Sequence, residues 1–282
     1  MAVQRLRGRK PVMGGARHGR RRSSRGLRCS LSLIGALLVM SLIGGMAWAG
    51  PSYVALGDSY ASGDGTGVFY SGSGDCYQSP DAYPPLIASA DGYSLSFEAC
   101  SGATSSDVIA NQLGALSADT SLVTVQAGGD DAGFASVMED CAAFFWDCSS
   151  AISGAQSYIE NTLPGNLDAL YADISDDAPN AEVVVLGYPR LFDSDDDACG
   201  FNLLTSSEVA RLNQTADELD TVIANEASDY GFDFIDPRAA FSGNELCSTE
   251  PWLNNVTYPV FQSFHPNDAG EAEFAVLIES SL

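Results

Sequence analysis

Beyond Gly50 this 282-residue chain has no lysine, three arginines (Arg190, Arg211 and Arg238) and a single histidine, His265. All 37 acidic residues lie in the same stretch, so residues 50–282 carry a formal charge of 3 − 37 = −34. A surface that negative excludes nucleic acid as a partner and repels anionic membranes. Its self-repulsion costs stability at low ionic strength, which leaves salt adaptation and plain solubility as two open readings. One histidine and no Cys-x-x-Cys pair argue against a zinc site. The missing Gly-x-Ser-x-Gly argues against the α/β-hydrolase elbow. No internal repeat or long linker is present, so one domain is expected.

The first 49 residues lack acid entirely. Ten of the 13 basic residues fall between Arg5 and Arg28, an apolar run extends from Leu31 to Met46, and Ala47-Trp48-Ala49 follows. This is the pattern of a secretory signal peptide, expected to span residues 1–49 and to be removed on export. The apolar run is shorter than the ~20 residues a span prefers. Gly44-Gly45 also interrupts it. No stable membrane insertion is therefore expected once the signal is gone. Arg20 to Arg22 raise the twin-arginine route without deciding it, and Cys29 lies before the apolar run, where a lipoprotein cysteine does not. The remaining 282 − 49 = 233 residues suit a single, secreted, monomeric domain with a full core. Their six cysteines, Cys76, Cys100, Cys141, Cys148, Cys199 and Cys247, imply three disulfides, with all 15 pairings open on spacing alone.

Short apolar runs alternate with helical patterns along those residues. Strands are expected at Tyr53–Leu56, Tyr93–Ala99, Leu122–Ala127, Ala181–Leu186 and Phe232–Ile235. Helices are expected at Asp81–Ala90, Ser105–Leu113, Ser149–Ile174, Ser206–Tyr230 and Asn267–Leu282. Continuous β-branched runs such as Val183-Val184-Val185 read as strands covered on both faces. The alternation predicts an α/β fold with a parallel, doubly wound sheet between helix layers. Residues 65–74, rich in Gly and Ser, read as a surface loop.

Such sheets carry their sites at the carboxyl ends of the strands. Three sequences follow predicted strands: Gly57-Asp58-Ser59, Ser101-Gly102-Ala103 and Gly128-Gly129-Asp130-Asp131. A fourth, Ser263-Phe264-His265-Pro266, lies near the C-terminus. Acyl transfer from an ester needs a nucleophile, a base and donors for the oxyanion. Ser59 stands where a strand turns into a helix, and Gly102 can offer a bare N–H. His265 is the base by elimination. Each piece alone is commonplace, since Gly-Asp-Ser is usually a turn and a lone His is usually structural. Their shared position after strands gives them weight.

These motifs resemble the SGNH, or GDSL-type, hydrolases, and above all the secreted actinobacterial lipases and esterases. Residues 53–63, Ser101 to Ala103, Gly128 to Asp131 and His265 to Asn267 match four blocks. Residues 186–192 and Leu246-Cys247 are similar too. The resemblance spans roughly Pro51 to Leu282. It implies a three-layer α/β/α flavodoxin-like fold, a Ser–His mechanism with no metal or cofactor, and disulfides Cys76–Cys100, Cys141–Cys148 and Cys199–Cys247. Two departures stand out. The third block usually has Asn, whose amide serves the oxyanion; here Asp130 stands there, and a carboxylate has no proton to donate. The position three before the histidine, often Asp, is Gln262. The actinobacterial branch implies instead that the main-chain carbonyl of Ser263 orients His265.

The expectation is thus a secreted serine esterase or lipase acting on neutral carboxylic or acylglycerol esters. Ser59 is its nucleophile, His265 its base, and Ser59, Gly102 and Asp130 its oxyanion surroundings. The alternatives are a carbohydrate O-acetyl esterase of the same fold, or a weakly active or non-catalytic binding protein because of Asp130. Asp193 to Asp197 read as a solvated acidic loop, because the glycine and glutamate of a calcium loop are missing. Phe144-Phe145-Trp146 read as local packing, with an acyl-contacting lip as the alternative. Asn213-Gln-Thr215 and Asn255-Val-Thr257 fit a glycosylation pattern but assign nothing.

Overall fold

The computed structural model describes residues 50–142, 148–193 and 204–282. The expected signal peptide, Phe144 to Trp146, Cys199 and most of the Asp193–Asp197 loop lie outside them. Five parallel strands form one sheet: β1 (Ser52–Gly57), β2 (Ser94–Phe97), β3 (Thr120–Gln126), β4 (Glu182–Leu186) and β5 (Asp233–Ile235). Their order is β2-β1-β3-β4-β5, the flavodoxin-like arrangement. The three central strands are the most apolar and the most buried, and the edge strands β2 and β5 stay partly exposed. That gradient explains the β-branched runs, because central strands of a parallel sheet are covered on both faces.

Nine helices are described: α1 (Ser59–Ser62), α2 (Tyr83–Asp91), α3 (Ser105–Asn111), α4 (Phe134–Ala142), α5 (Ser149–Asn161), α6 (Leu163–Asp177), α7 (Ser206–Asp229), α8 (Arg238–Phe241) and α9 (Asp268–Glu279). Helix α2 packs on α9, while α5, α6 and α7 pack together and α3 rests on α6. Helices α3 and α7 open with capping boxes, Thr104 with Asp107 and Thr205 with Glu208, and Asn267 caps α9. These reciprocal bonds satisfy the orphan N–H groups of the first turn. Leu56, Val123, Leu167, Val184, Ile223 and Phe274 lie at the centre of the core, essentially without exposure. Truncating such a residue to alanine costs about 2–5 kcal/mol.

Two expectations need correction. The single helix expected over Ser149–Ile174 is two helices, α5 and α6, which meet at Thr162. Pro164 lies just beyond that joint; its ring and missing N–H cannot continue α5 but fit the first turn of α6. The loop at residues 65–74 is not wholly surface either. Asp64 and Gly65 are buried, and a side chain on Gly65 would fall 2.0 Å from the Pro266 carbonyl oxygen. Cys76 and Cys100 are bridged, as are Cys141 and Cys148. Cys247 is disulfide-bonded as well, and Cys199, its expected partner, is outside the described residues. Among the described residues no helix is long and apolar enough to cross a membrane.

Candidate active site

The position of Ser59, the candidate nucleophile, is built from the end of β1. Gly57 takes φ +139, and a Cβ there would meet the Gln126 carbonyl oxygen at 2.3 Å, so only glycine lets β1 run this close to the end of β3. The buried Gln112 amide grips Gly57 from both sides: its Oε1 accepts from Gly57 N at 2.8 Å and its Nε2 donates to Gly57 O at 2.9 Å. Asp58 caps the short helix α1 by accepting from Tyr60 N. Ser59 is then its first residue, 8% exposed.

His265 arrives from the opposite side on irregular backbone. Its Nε2 lies 2.7 Å from Ser59 Oγ, and its Nδ1 lies 2.9 Å from Ser263 O. A carbonyl can only accept, so Nδ1 carries the proton and Nε2 is left to accept from the serine hydroxyl. Burial holds the imidazole down to about 4, against the opposing pull of the Ser263 carbonyl. It is therefore neutral at pH 7. The arm is pinned by Tyr60, whose hydroxyl donates to Phe264 O at 2.7 Å, and by paired bonds to Asn254. Phe264 takes φ 67, a left-handed conformation costly for a bulky residue, immediately before the histidine. Gln262 makes no side-chain hydrogen bond among the described residues, so nothing ties it to His265.

Gly102, at φ +75 after β2, lines one open cleft of about 400 Å³ with Ser59, Asp130 and His265. Among the described residues neither the Ser59 nor the Gly102 N–H donates to a protein group. Ser59 and Asp130 also border a second, narrower apolar pocket of about 70 Å³, walled by Phe134, Met138, Ile159, Leu212 and Leu219. The wide cleft and the narrow apolar pocket thus meet at the serine.

The site is crowded with carboxyls, and among the described residues no arginine pairs with Asp58, Asp64 or Asp130. Burial raises Asp58 well above its ordinary range, and the Asp130 charge adds to this while bonds from Tyr188 and Tyr60 oppose it. Burial pushes Asp64 up to about 7, against hydrogen bonds from Ser101 and Ser62. Asp130 is pushed up to about 6, first by burial and then by the Asp131 and Asp107 charges. No described group donates to the Asp130 carboxyl. Asp131 beside it is structural, accepting from the Ser105 N–H and hydroxyl at the start of α3.

Motif reading missed three anchoring residues. The Tyr188 hydroxyl donates to Asp58 and accepts from Gly129 N at 3.2 Å, joining the loops after β1 and β3. Its own N–H is held by the buried Asp220. Gln112 and Asp64 are the others. Tyr188 had two usable signals, its place just past the end of β4 and its position within residues 186–192, which resemble the family. Among the described residues no cluster of His, Cys, Asp and Glu has the make-up of a metal site.

A sequence profile of the GDSL-like Lipase/Acylhydrolase family matches residues 55–272. Lipase 1 of Streptomyces coelicolor is 46% identical over 227 residues, covering 79% of this chain and 84% of that protein. Among solved structures, the extracellular lipase from Streptomyces rimosus aligns with TM-score 0.79 at 42% identity, over 82% of this chain and 99% of that one. The phospholipase A1 from Streptomyces albidoflavus aligns with TM-score 0.79 at 43% identity, over 83% of this chain and 100% of that one.

Proposed function

This chain belongs to the GDSL-like lipase/acylhydrolase family and is a carboxylic ester hydrolase; from that premise we propose that Ser59 is its nucleophile and His265 its general base. The observation that carries this reading is the contact of 2.7 Å between Ser59 Oγ and His265 Nε2, with Nδ1 held on Ser263 O. As Ser59 Oγ attacks the ester carbonyl carbon, His265 Nε2 takes its proton. The imidazolium so formed keeps its Nδ1–H on a carbonyl, which orients it but stabilises it less than a carboxylate would. The Ser59 and Gly102 N–H groups, free of internal partners, receive the oxyanion. His265 then returns the proton to the departing alkoxide, and a water activated by the same base releases the acid from Ser59.

Asp130 sets the pH range. As a carboxylate it repels the oxyanion; as an acid it is a third donor. Catalysis needs His265 neutral, above about 4, and gains from Asp130 protonated, below about 6. Highest turnover therefore falls on the acid side of neutrality. Neutral carboxylic esters, acylglycerols among them, suit a cleft with an apolar side pocket whose lining, among the described residues, has no Lys or Arg to hold an anionic group. The relatives carry the names lipase and phospholipase A1, which supports lipid esters as substrates. The basic, acid-free N-terminal segment followed by an apolar run supports export, with residues 1–49 as the signal peptide and residues 50–282 as the enzyme.

Activity against p-nitrophenyl esters of graded chain length tests the assignment. Ser59→Ala should lower kcat by about 10³-fold or more. Retention of wild-type turnover in that variant would remove Ser59 from the mechanism.

A further inference from the structure

Single apolar side chains in water are ordinary, but gathered ones mark contacts with something else. Among the described residues the large exposed apolar side chains fall mostly on two segments. Val68 and Tyr70 lie on one; Val256, Tyr258 and Val260 lie on the other, with Val68 53% and Tyr258 90% exposed. The two segments form one surface. Phe261 stacks on Tyr77 with ring centroids 4.1 Å apart, and Phe69 packs against both rings. Asn254 Nδ2 donates to Gly65 O at 2.6 Å, tying the segments together beneath. Val256 and Val260 continue inward to the cleft that holds Ser59 and His265.

The charge pattern singles out the same surface. Residues 65–74 and 251–267 contain no Asp, Glu, Lys or Arg, and the second is the longest acid-free run beyond Gly50. Elsewhere in residues 50–282 acids are dense. A carboxylate pressed against hydrocarbon must shed its hydration, so a surface that meets lipid is one that excludes it. Tyr70 and Tyr258, with apolar bodies and polar tips, suit the boundary between hydrocarbon and water. The formal charge of −34 on residues 50–282 repels anionic headgroups, which leaves lipid without net charge as the fitting partner. A second copy would bring the same negative charge against this one.

We propose that residues 68–70 and 256–260 form a rim that seats the cleft on an uncharged lipid surface, so that aggregated esters enter directly from it. The proposal rests on the cleft being the ester site. The test uses the whole chain carrying Ser59→Ala, to suppress hydrolysis, sedimented with vesicles of phosphatidylcholine or of phosphatidylglycerol. Binding to phosphatidylcholine is expected to weaken about tenfold with Val68→Asp or Tyr258→Asp and further with both, since each adds a charge to a surface that must be desolvated. Phosphatidylglycerol vesicles should bind less, and Val276→Asp, an exposed apolar position of α9 outside both rim segments, should change nothing. With Ser59 intact, the rim variants should keep wild-type turnover of dissolved p-nitrophenyl acetate while losing activity on emulsified esters in step with binding. Vesicle binding indifferent to the rim charges, binding stronger to phosphatidylglycerol, or equal loss on dissolved and emulsified esters would overturn the proposal. Full esterase activity in Ser59→Ala would instead remove the Ser59 assignment, and the vesicle measurements would still judge the rim alone.

Discussion

The two halves of the proposed catalytic pair are held by different means. Ser59 hangs from the sheet: β1 ends at Gly57, Gln112 grips that glycine, and Tyr188 locks Asp58 to the loop after β3. His265 hangs from a loop: one isolated bridge, Leu253 to Pro266, a few bonds to Asn254 and the Tyr60 hydroxyl fix it. The serine's position is thus a property of the whole sheet, and the histidine's is a property of its own arm. Damage to the first should spread into stability, and damage to the second should stay with the chemistry.

His265→Ala should give the largest effect, about 10³–10⁴-fold lower kcat. Its melting temperature should move little, because the arm is tied by backbone and by Asn254. A large fall in melting temperature would show that the ring itself props up the fold and would erase the contrast with the turn that carries Ser59.

Asp130→Asn should act in the opposite direction and only at higher pH. At pH 7.5 the amide replaces a repelling carboxylate, and kcat should rise by about tenfold or more. At pH 5, where Asp130 is largely protonated, the two enzymes should converge. Equal or lower turnover at pH 7.5 would place the carboxylate outside the oxyanion's reach.

Asp64 sharpens the comparison through stability. Its folded value of about 7 lies above its unfolded value near 4, so its contribution is present below about pH 4 and is lost as pH rises through about 7. His265 runs the other way, its contribution being lost as pH falls from 6.5 through about 4. Asp58 and Asp130 are raised like Asp64 and together outweigh the histidine, so the melting temperature should decline between pH 5 and 8 in the wild type, and Asp64→Asn should flatten that decline by roughly a few degrees. A slope unchanged in the variant would rule Asp64 out as its source.

Gln262→Ala should give the smallest effect, about twofold or less in kcat/KM, since the Ser263 carbonyl rather than this side chain orients the base. A loss resembling that of His265→Ala would mean that the arm is organised by Gln262 after all.

The sheet was legible because parallel central strands write themselves as apolar runs, and all five runs became strands. Ser59 and Gly102 were legible from their place after a strand, and Ser263 only through the family resemblance. Tyr188, Gln112 and Asp64 were not, because each acts through one polar atom that reaches across the fold, and such contacts leave no period in a sequence. The joint at Thr162 was hidden by a helical pattern that continues through it, although Pro164 marked the spot. Asp130 was visible as an oddity beside Asp131, but its raised pKa depends first on burial and also on Asp107, which only the folded chain supplies.

The most direct test of the Ser59–His265 pair is covalent labelling by a fluorophosphonate, with the modified residue located by peptide mass spectrometry across pH 3–8. The account predicts a single phosphonyl adduct on Ser59, absent in His265→Ala, with a labelling rate that falls away as pH drops through about 4. An adduct on another residue, or Ser59 labelled just as fast without His265, would contradict it.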